Sequence, residues 1–287
     1  MKIAIMTDVN AGLDYVNYDT KITCLRSTVN FKDEVLVDGI DIKADEFYRR
    51  ISNITSVSEI PSTSAPSLGD IHGAFERFIK EGYTDVIHFP ISFKLSATGP
   101  TVKQVAEEYA DQLNVHVIDT KLAAYLQGYL AVNAKKMVED GATVEEIIER
   151  SNFLIDHSKA YFVVDDLNYL VKNGRLSGAS GFFAGLLRIK PVLEITPDGR
   201  IATKEKVKIY RRAVERMIEL MLEFIDNHQK VKVLAFHSLR EDVISQVVNH
   251  LKEQRPNLDE IEIHFITPAV GAHIGAGVIG LGAFILE

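Results

Sequence analysis

Four short turns hold the side chains best suited to chemistry: Thr63-Ser64-Ala65-Pro66-Ser67, Ser92-Phe93-Lys94-Leu95-Ser96-Ala97-Thr98, Asn173-Gly174-Arg175 and Gly271-Ala272-His273-Ile274-Gly275-Ala276-Gly277. Together they offer hydroxyls, one guanidinium and one imidazole. A guanidinium is always charged and forks onto carboxylates or phosphates. Hydroxyls and the free N–H groups of a helix N-terminus donate to anions as well. No G-x-S-x-G elbow accompanies the serines, and the nine histidines of the chain show no metal-ligand spacing. The set suits holding a small anionic head group better than breaking a bond. Most of these also have a plainer reading: Thr63, Ser64 and Ser67 as turn and capping residues, Ser96 as a helix cap, Arg175 as a surface partner of Asp165 or Asp166, and His273 as a structural histidine.

The elements that must position these groups alternate in type. Residues 2–7 form a short apolar run ending in Asp8, as a buried parallel strand does. A helix over 69–81 puts Ile71, Phe75 and Phe78 on one face, and 85–91 is the next strand. A helix through Val102, Ala106, Tyr109 and Leu113 follows, then a strand over 115–118. Helices are expected over 121–140 and 144–158, the second opened by a Thr143…Glu146 capping box. Strands alternating with helices predict a parallel sheet covered on both faces. The pattern changes near residue 159. A strand over 161–167 precedes a hairpin over 190–203 turning at Pro197-Asp198-Gly199. A helix over 209–227, a strand over 231–237, a helix over 241–253 and a strand over 261–267 follow. The expected fold class is α/β with two α/β domains, 1–159 carrying a parallel sheet and 160–287 a mixed one. The cleft between them is the default ligand site. Thr63 and Ser96 both follow strand ends, so they converge only if those strands are neighbours.

Composition excludes other classes. An apolar fraction of 46% is that of a globular chain, and a net charge of −8 argues against nucleic acid. No apolar run reaches the roughly 20 residues needed to span a bilayer, and the start of the sequence reads as a strand, not a leader. Cys24 is the lone cysteine, which suits a reducing, cytoplasmic setting. Gly275-Ala276-Gly277-Val278-Ile279-Gly280 matches the dinucleotide fingerprint in letters. Too few residues follow it for the helix, second strand and acidic residue that the motif needs.

The turns, in this order, resemble those of the DegV family of bacterial lipid-binding proteins. The resemblance runs from the Thr7-Asp8 pair to the turn of His273, Gly275 and Gly277. It passes through the T-S-x-P-S and L-S-x-T turns, Ile118-Asp119-Thr120, the N-G-R turn, Ile189-Lys190-Pro191 and Asp198-Gly199. It implies a bacterial, two-domain α/β protein of the EDD fold that encloses one long-chain fatty acid, such as palmitate, stearate or oleate, with no further cofactor. Thr63 and Ser96 would hold the carboxylate, with Ser64 and Ser92 as lesser candidates. Arg175 and His273 would frame the head group. A partner ATP-dependent kinase would make the acyl phosphate for phospholipid synthesis. The acyl tail needs an apolar tunnel, for which Phe182, Phe183 and Leu186 are candidates along with residues of the 69–81 helix. The chain departs from the family pattern at Val9, Ala65, Ala97 and Ala276. At Ala97 the methyl would tighten or shift the turn, because Ala lacks glycine's freedom at positive φ. The runner-up reading is a serine hydrolase or acyltransferase using Ser96 or Ser64 with His273 and Asp119, and a sugar binder is third.

Overall fold

The computed structural model describes residues 2–178 and 189–287. Strand β1 (Ile3–Asp8) is buried along nearly its whole length, and its side chains divide between two cores. It lies inside a four-stranded, all-parallel sheet in the order β2 (Thr23–Leu25), β1, β6 (Asp85–Phe89), β7 (Asn114–Val117). Ala4, Met6 and Val86 point to one face, where α2 (Leu68–Lys80) packs through Ile71, Phe75 and Phe78 and α3 (Thr98–Ala106) through Val102 and Val105. Ile5, Ile87 and Phe89 point to the other face, beneath α4 (Ala124–Glu139) and α5 (Val144–Asp156). Thr143 opens α5 with the expected capping box: its hydroxyl accepts from the Glu146 N–H, and the Glu146 carboxylate accepts from its own.

The second sheet has six strands in the order β10 (Ile201–Glu205), β9 (Val192–Ile195), β8 (Ser158–Val163), β13 (Ile279–Ile285), β11 (Val231–His237), β12 (Glu262–Phe265). It is mixed: β11 and β12 run parallel, and the other pairs are antiparallel. Its outer face packs on α7 (Tyr210–Ile225) and α8 (Glu241–Gln254). Its inner face, with Ala160, Leu193, Leu234, Phe236 and Phe284, shares a core with α4 and α5. Helix α4 is therefore sandwiched between the sheets, and its seven buried residues fit an element apolar nearly all round.

Short elements complete the site. Strands β4 (Val35–Val37), β3 (Thr28–Asn30) and β5 (Ser62–Ser64) form a small antiparallel sheet. Helix α1 (Ala44–Ile51) packs against α9 (Pro268–Ile274), where a Cβ on Gly271 would lie 2.5 Å from the Tyr48 hydroxyl. The one-turn helix α6 (Asn168–Lys172) leads into Gly174, which has φ +67. Residues 275–278 lead into strand β13, which contains Gly280, and not into a helix, so the dinucleotide reading fails on structure too.

Candidate functional site

Strand β1 ends at Asp8, whose buried carboxylate organises the surrounding backbone. It accepts the Ile91 N–H at 2.9 Å, the Asn10 N–H at 3.1 Å, the Asn10 side-chain amide at 2.7 Å and the Gln127 amide at 3.0 Å. Burial, partly offset by these bonds, pushes the Asp8 pKa above the usual carboxylate value. The network locks the carboxyl ends of β1 and β6 to α4, at the sheet edge where open α/β sheets bind ligands.

Asn10 and Ile91 line a polar cavity of about 540 Å³ at that edge. Thr63, Ser64, Ser96, Arg175 and His273 line it too, so five of the predicted residues converge there. They converge by a route other than the expected one. Thr63 does not follow a strand neighbouring that of Ser96. It lies within β5, on the separate small sheet, and a run of three hydroxyl residues gives no alternation by which a strand is read. His273 is likewise not in a glycine turn. It occupies the last turn of α9, a helix capped by Thr267 with Pro268 in its first turn and ended at Gly275, where φ is +80.

Thr63 Oγ1 lies 2.8 Å from His273 Nε2. Burial, helped by the Arg175 charge, pushes the imidazole pKa down to about 4, so the ring is neutral near pH 7. Its Nδ1 is buried and has no hydrogen-bond partner among the described residues. A proton on Nδ1 would be an orphaned buried donor, whereas a bare Nδ1 is an orphaned acceptor, the less costly state. The network therefore assigns the proton to Nε2, which donates to Thr63 and leaves the Thr63 hydroxyl proton free to donate into the cavity.

Arg175 is aimed by backbone carbonyls: its Nε donates to Leu95 O at 2.8 Å and one terminal nitrogen to Asn173 O at 2.7 Å. It does not pair with Asp165, which pairs with Arg240. Asn173 is the joint beneath, donating through its amide to Ala272 O at 3.0 Å and Pro61 O at 3.3 Å. Through its side chain and its own carbonyl, Asn173 thus ties together the backbone beside Thr63, the helix of His273 and the guanidinium of Arg175. Ser96 Oγ accepts the Thr98 N–H at 3.2 Å and lies 3.0 Å from Thr98 Oγ1, so it closes the turn before α3, whose N-cap is Ala97, and is also a cavity wall. Ser64 Oγ accepts from Asn30 Nδ2 at 2.8 Å.

Ser92 does not line the cavity. Its buried hydroxyl donates to Gly199 O at 2.7 Å and fastens the hairpin turn, where a Cβ on Gly199 would lie 2.2 Å from it. Ala97 has φ −80, so its methyl imposes no strain, contrary to the expectation for this turn. Asp119 accepts from the Phe93 and Lys121 N–H groups and not from His273, which removes the orienting acid a hydrolase triad requires. Among the described residues no cluster of His, Cys, Asp and Glu could hold a metal ion, and no helix is long and apolar enough to cross a membrane.

The polar cavity shares Ala123, Ile201, Val270 and Ile274 with an apolar chamber of about 500 Å³. Leu126, Phe236, Ile266 and Val278 form part of that chamber, whose walls come from α4, α9, the six-stranded sheet and the segments beside it. The α2 helix contributes nothing to it, because its apolar face is spent on the parallel sheet. Phe182, Phe183 and Leu186 lie outside the described residues.

Comparison with known proteins accounts for the whole chain. A family model described as "Uncharacterised protein, DegV family" matches residues 2–286. A DegV domain-containing protein of Staphylococcus aureus is 33% identical over 286 residues, covering 98% of this chain and 97% of the relative. Among solved structures, the fold is similar to a fatty acid binding DegV family protein from Streptococcus agalactiae, with TM-score 0.89, 29% identity and 99% of each chain covered. It is also similar to DegV, a fatty acid binding protein from Bacillus subtilis, with TM-score 0.87, 26% identity and 99% of each chain covered. The chain belongs to the DegV family.

Proposed function

We propose that this chain binds one long-chain fatty acid, with the carboxylate at Thr63, Ser96, Arg175 and His273 and the acyl chain in the apolar chamber. The observation that carries this reading is the junction of the two cavities. A cluster of donors with one guanidinium adjoins a chamber of aliphatic and aromatic side chains, the two sharing Ala123, Ile201, Val270 and Ile274. The likeness to fatty-acid-binding members at 29% and 26% identity supports it. Burying about fourteen methylenes contributes on the order of 11 kcal/mol before ordering costs, so the tail supplies most of the affinity and the head group fixes direction. The same reading divides the chain at 1–159 and 160–287, a boundary two residues into β8, the first strand of the mixed sheet, which begins at Ser158.

The chain acts as a carrier in this account. It presents the carboxylate to a partner kinase, which transfers phosphate from ATP to make the acyl phosphate used in phospholipid synthesis. A cytoplasmic setting fits that role and the lone Cys24. The test is uptake by delipidated protein. Palmitate or oleate should bind with one-to-one stoichiometry, and Arg175→Met should weaken both. Protein incubated with palmitate and ATP alone should yield no hydroxylamine-trappable acyl phosphate. Failure to take up any long-chain acid would refute the carrier reading, and acyl phosphate formed without a partner would refute the division of labour.

A further inference from the structure

The apolar chamber also adjoins polar space away from Thr63. It shares Ala160 and Ile195 with a third cavity of about 510 Å³, and among the described residues none lines both this cavity and the polar one at Thr63. The chamber therefore separates two polar spaces. The third cavity lies where β8 begins, β9 ends and the chain enters α4, and Lys121, Lys159, Asp156, Ser158 and Thr196 contribute to it. Lys121 is held at φ +54, with its N–H donated to Asp119 Oδ1 at 3.0 Å, a conformation L residues rarely adopt. Its ammonium lies 3.4 Å from Asp156 Oδ1 across half-exposed surface. Lys159 is half-buried and pairs with no carboxylate among the described residues. Two ammonium groups against one carboxylate leave this cavity locally positive in a chain whose net charge is −8.

The methyl end of an ordinary fatty acid makes no use of such a lining. A carboxylate stranded inside the apolar chamber would be strongly disfavoured, so a second acidic group is tolerated only if the chain carries it through to the far side. We propose that the third cavity is a subsite for a distal carboxylate. The chain then accepts long-chain α,ω-dicarboxylic acids, one end at Thr63, Ser96 and Arg175 and the other at Lys159 with Lys121. This inference rests on the fatty-acid reading, and the polarity and charge of the far cavity extend it.

The test is competition on delipidated protein among palmitate and tetradecanedioic, hexadecanedioic and octadecanedioic acids. At least one diacid should bind within about tenfold of palmitate, because its second charge stays paired and partly hydrated. Lys121→Met with Lys159→Met should weaken that diacid about fivefold and leave palmitate unchanged, which also reports that the variant is folded. The proposal is overturned if every diacid binds more than about a hundredfold more weakly than palmitate, the result for a chamber closed to ions. Equal weakening of palmitate and diacid in the double variant also overturns it. If palmitate binds and the diacids do not, the subsite fails and the carrier reading stands. If nothing binds, both fall.

Discussion

The hydroxyl of Thr63 and the imidazole of His273 meet at 2.8 Å although 210 residues separate them. A strand of the small antiparallel sheet supplies one and the last turn of α9 supplies the other. Because the neutral ring donates to Thr63, the two act on a ligand as a unit. Thr63→Val and His273→Ala should each cost about 1–2 kcal/mol of fatty-acid affinity. The double variant should lose less than the sum, with a coupling of about 0.5 kcal/mol or more. Strictly additive losses in a double-mutant cycle would mean that the pair is not the working element.

Arg175 is held by two carbonyl acceptors at fixed angles, which a lysine cannot reproduce. Arg175→Lys should therefore weaken binding of palmitate about tenfold while keeping the charge. The corresponding fatty alcohol, which lacks the carboxylate, should bind variant and parent equally. Equal affinity of variant and parent for palmitate would remove Arg175 from the head-group site.

Asn173 touches three parts of the site through one side chain and its own carbonyl. Asn173→Ala leaves two buried or half-buried carbonyls without their donor, a loss of about 1–3 kcal/mol in unfolding free energy. Urea denaturation of the apo protein measures this. Ligand affinity should fall with it, since Pro61 and Ala272 adjoin the elements carrying Thr63 and His273.

Asp38 gives the fold a pH dependence. Its Oδ2 accepts the Ala269 N–H at the start of α9 at 2.7 Å, while its buried Oδ1 has no partner. Burial pushes its pKa up to about 7 from an ordinary value of 3.8, outweighing the Ala269 hydrogen bond. A raised carboxyl pKa means that folding favours the protonated form. The contribution is complete below pH 3.8 and is lost as pH rises through about 7. Asp38→Asn should remove that slope. Its stability relative to the parent should improve between pH 4 and pH 7, by on the order of 2–4 kcal/mol in urea titrations. A difference that is flat across this window would contradict the assignment.

Much of this architecture was legible from residues alone, and the failures have physical causes. Strand β6, the capped helix α5 and the hairpin around Gly199 announced themselves through apolar runs, a capping box and a turn signal. Strands β2 to β5 have three residues each, too short for a period of two to register. Helix α9 hid because Gly271 reads as a breaker, yet it is the residue whose missing side chain admits Tyr48. Its Thr267-Pro268 start and Gly275 end were the available signals. Asn173 could be read as a turn residue but not as a joint, because its partners lie 99 and 112 residues away. The lining of the apolar chamber was out of reach for the same reason: residues from α4 and the six-stranded sheet face an unfilled space that periodicity cannot distinguish from a filled core.

Native mass spectrometry of protein purified from a bacterial host asks whether one long-chain fatty acid occupies the two adjoining cavities. The expected result is an added mass equal to one such acid, released on denaturation, and a marked loss of that species in Arg175→Met. A protein that runs at its bare mass, and stays there after incubation with palmitate or oleate, would contradict it.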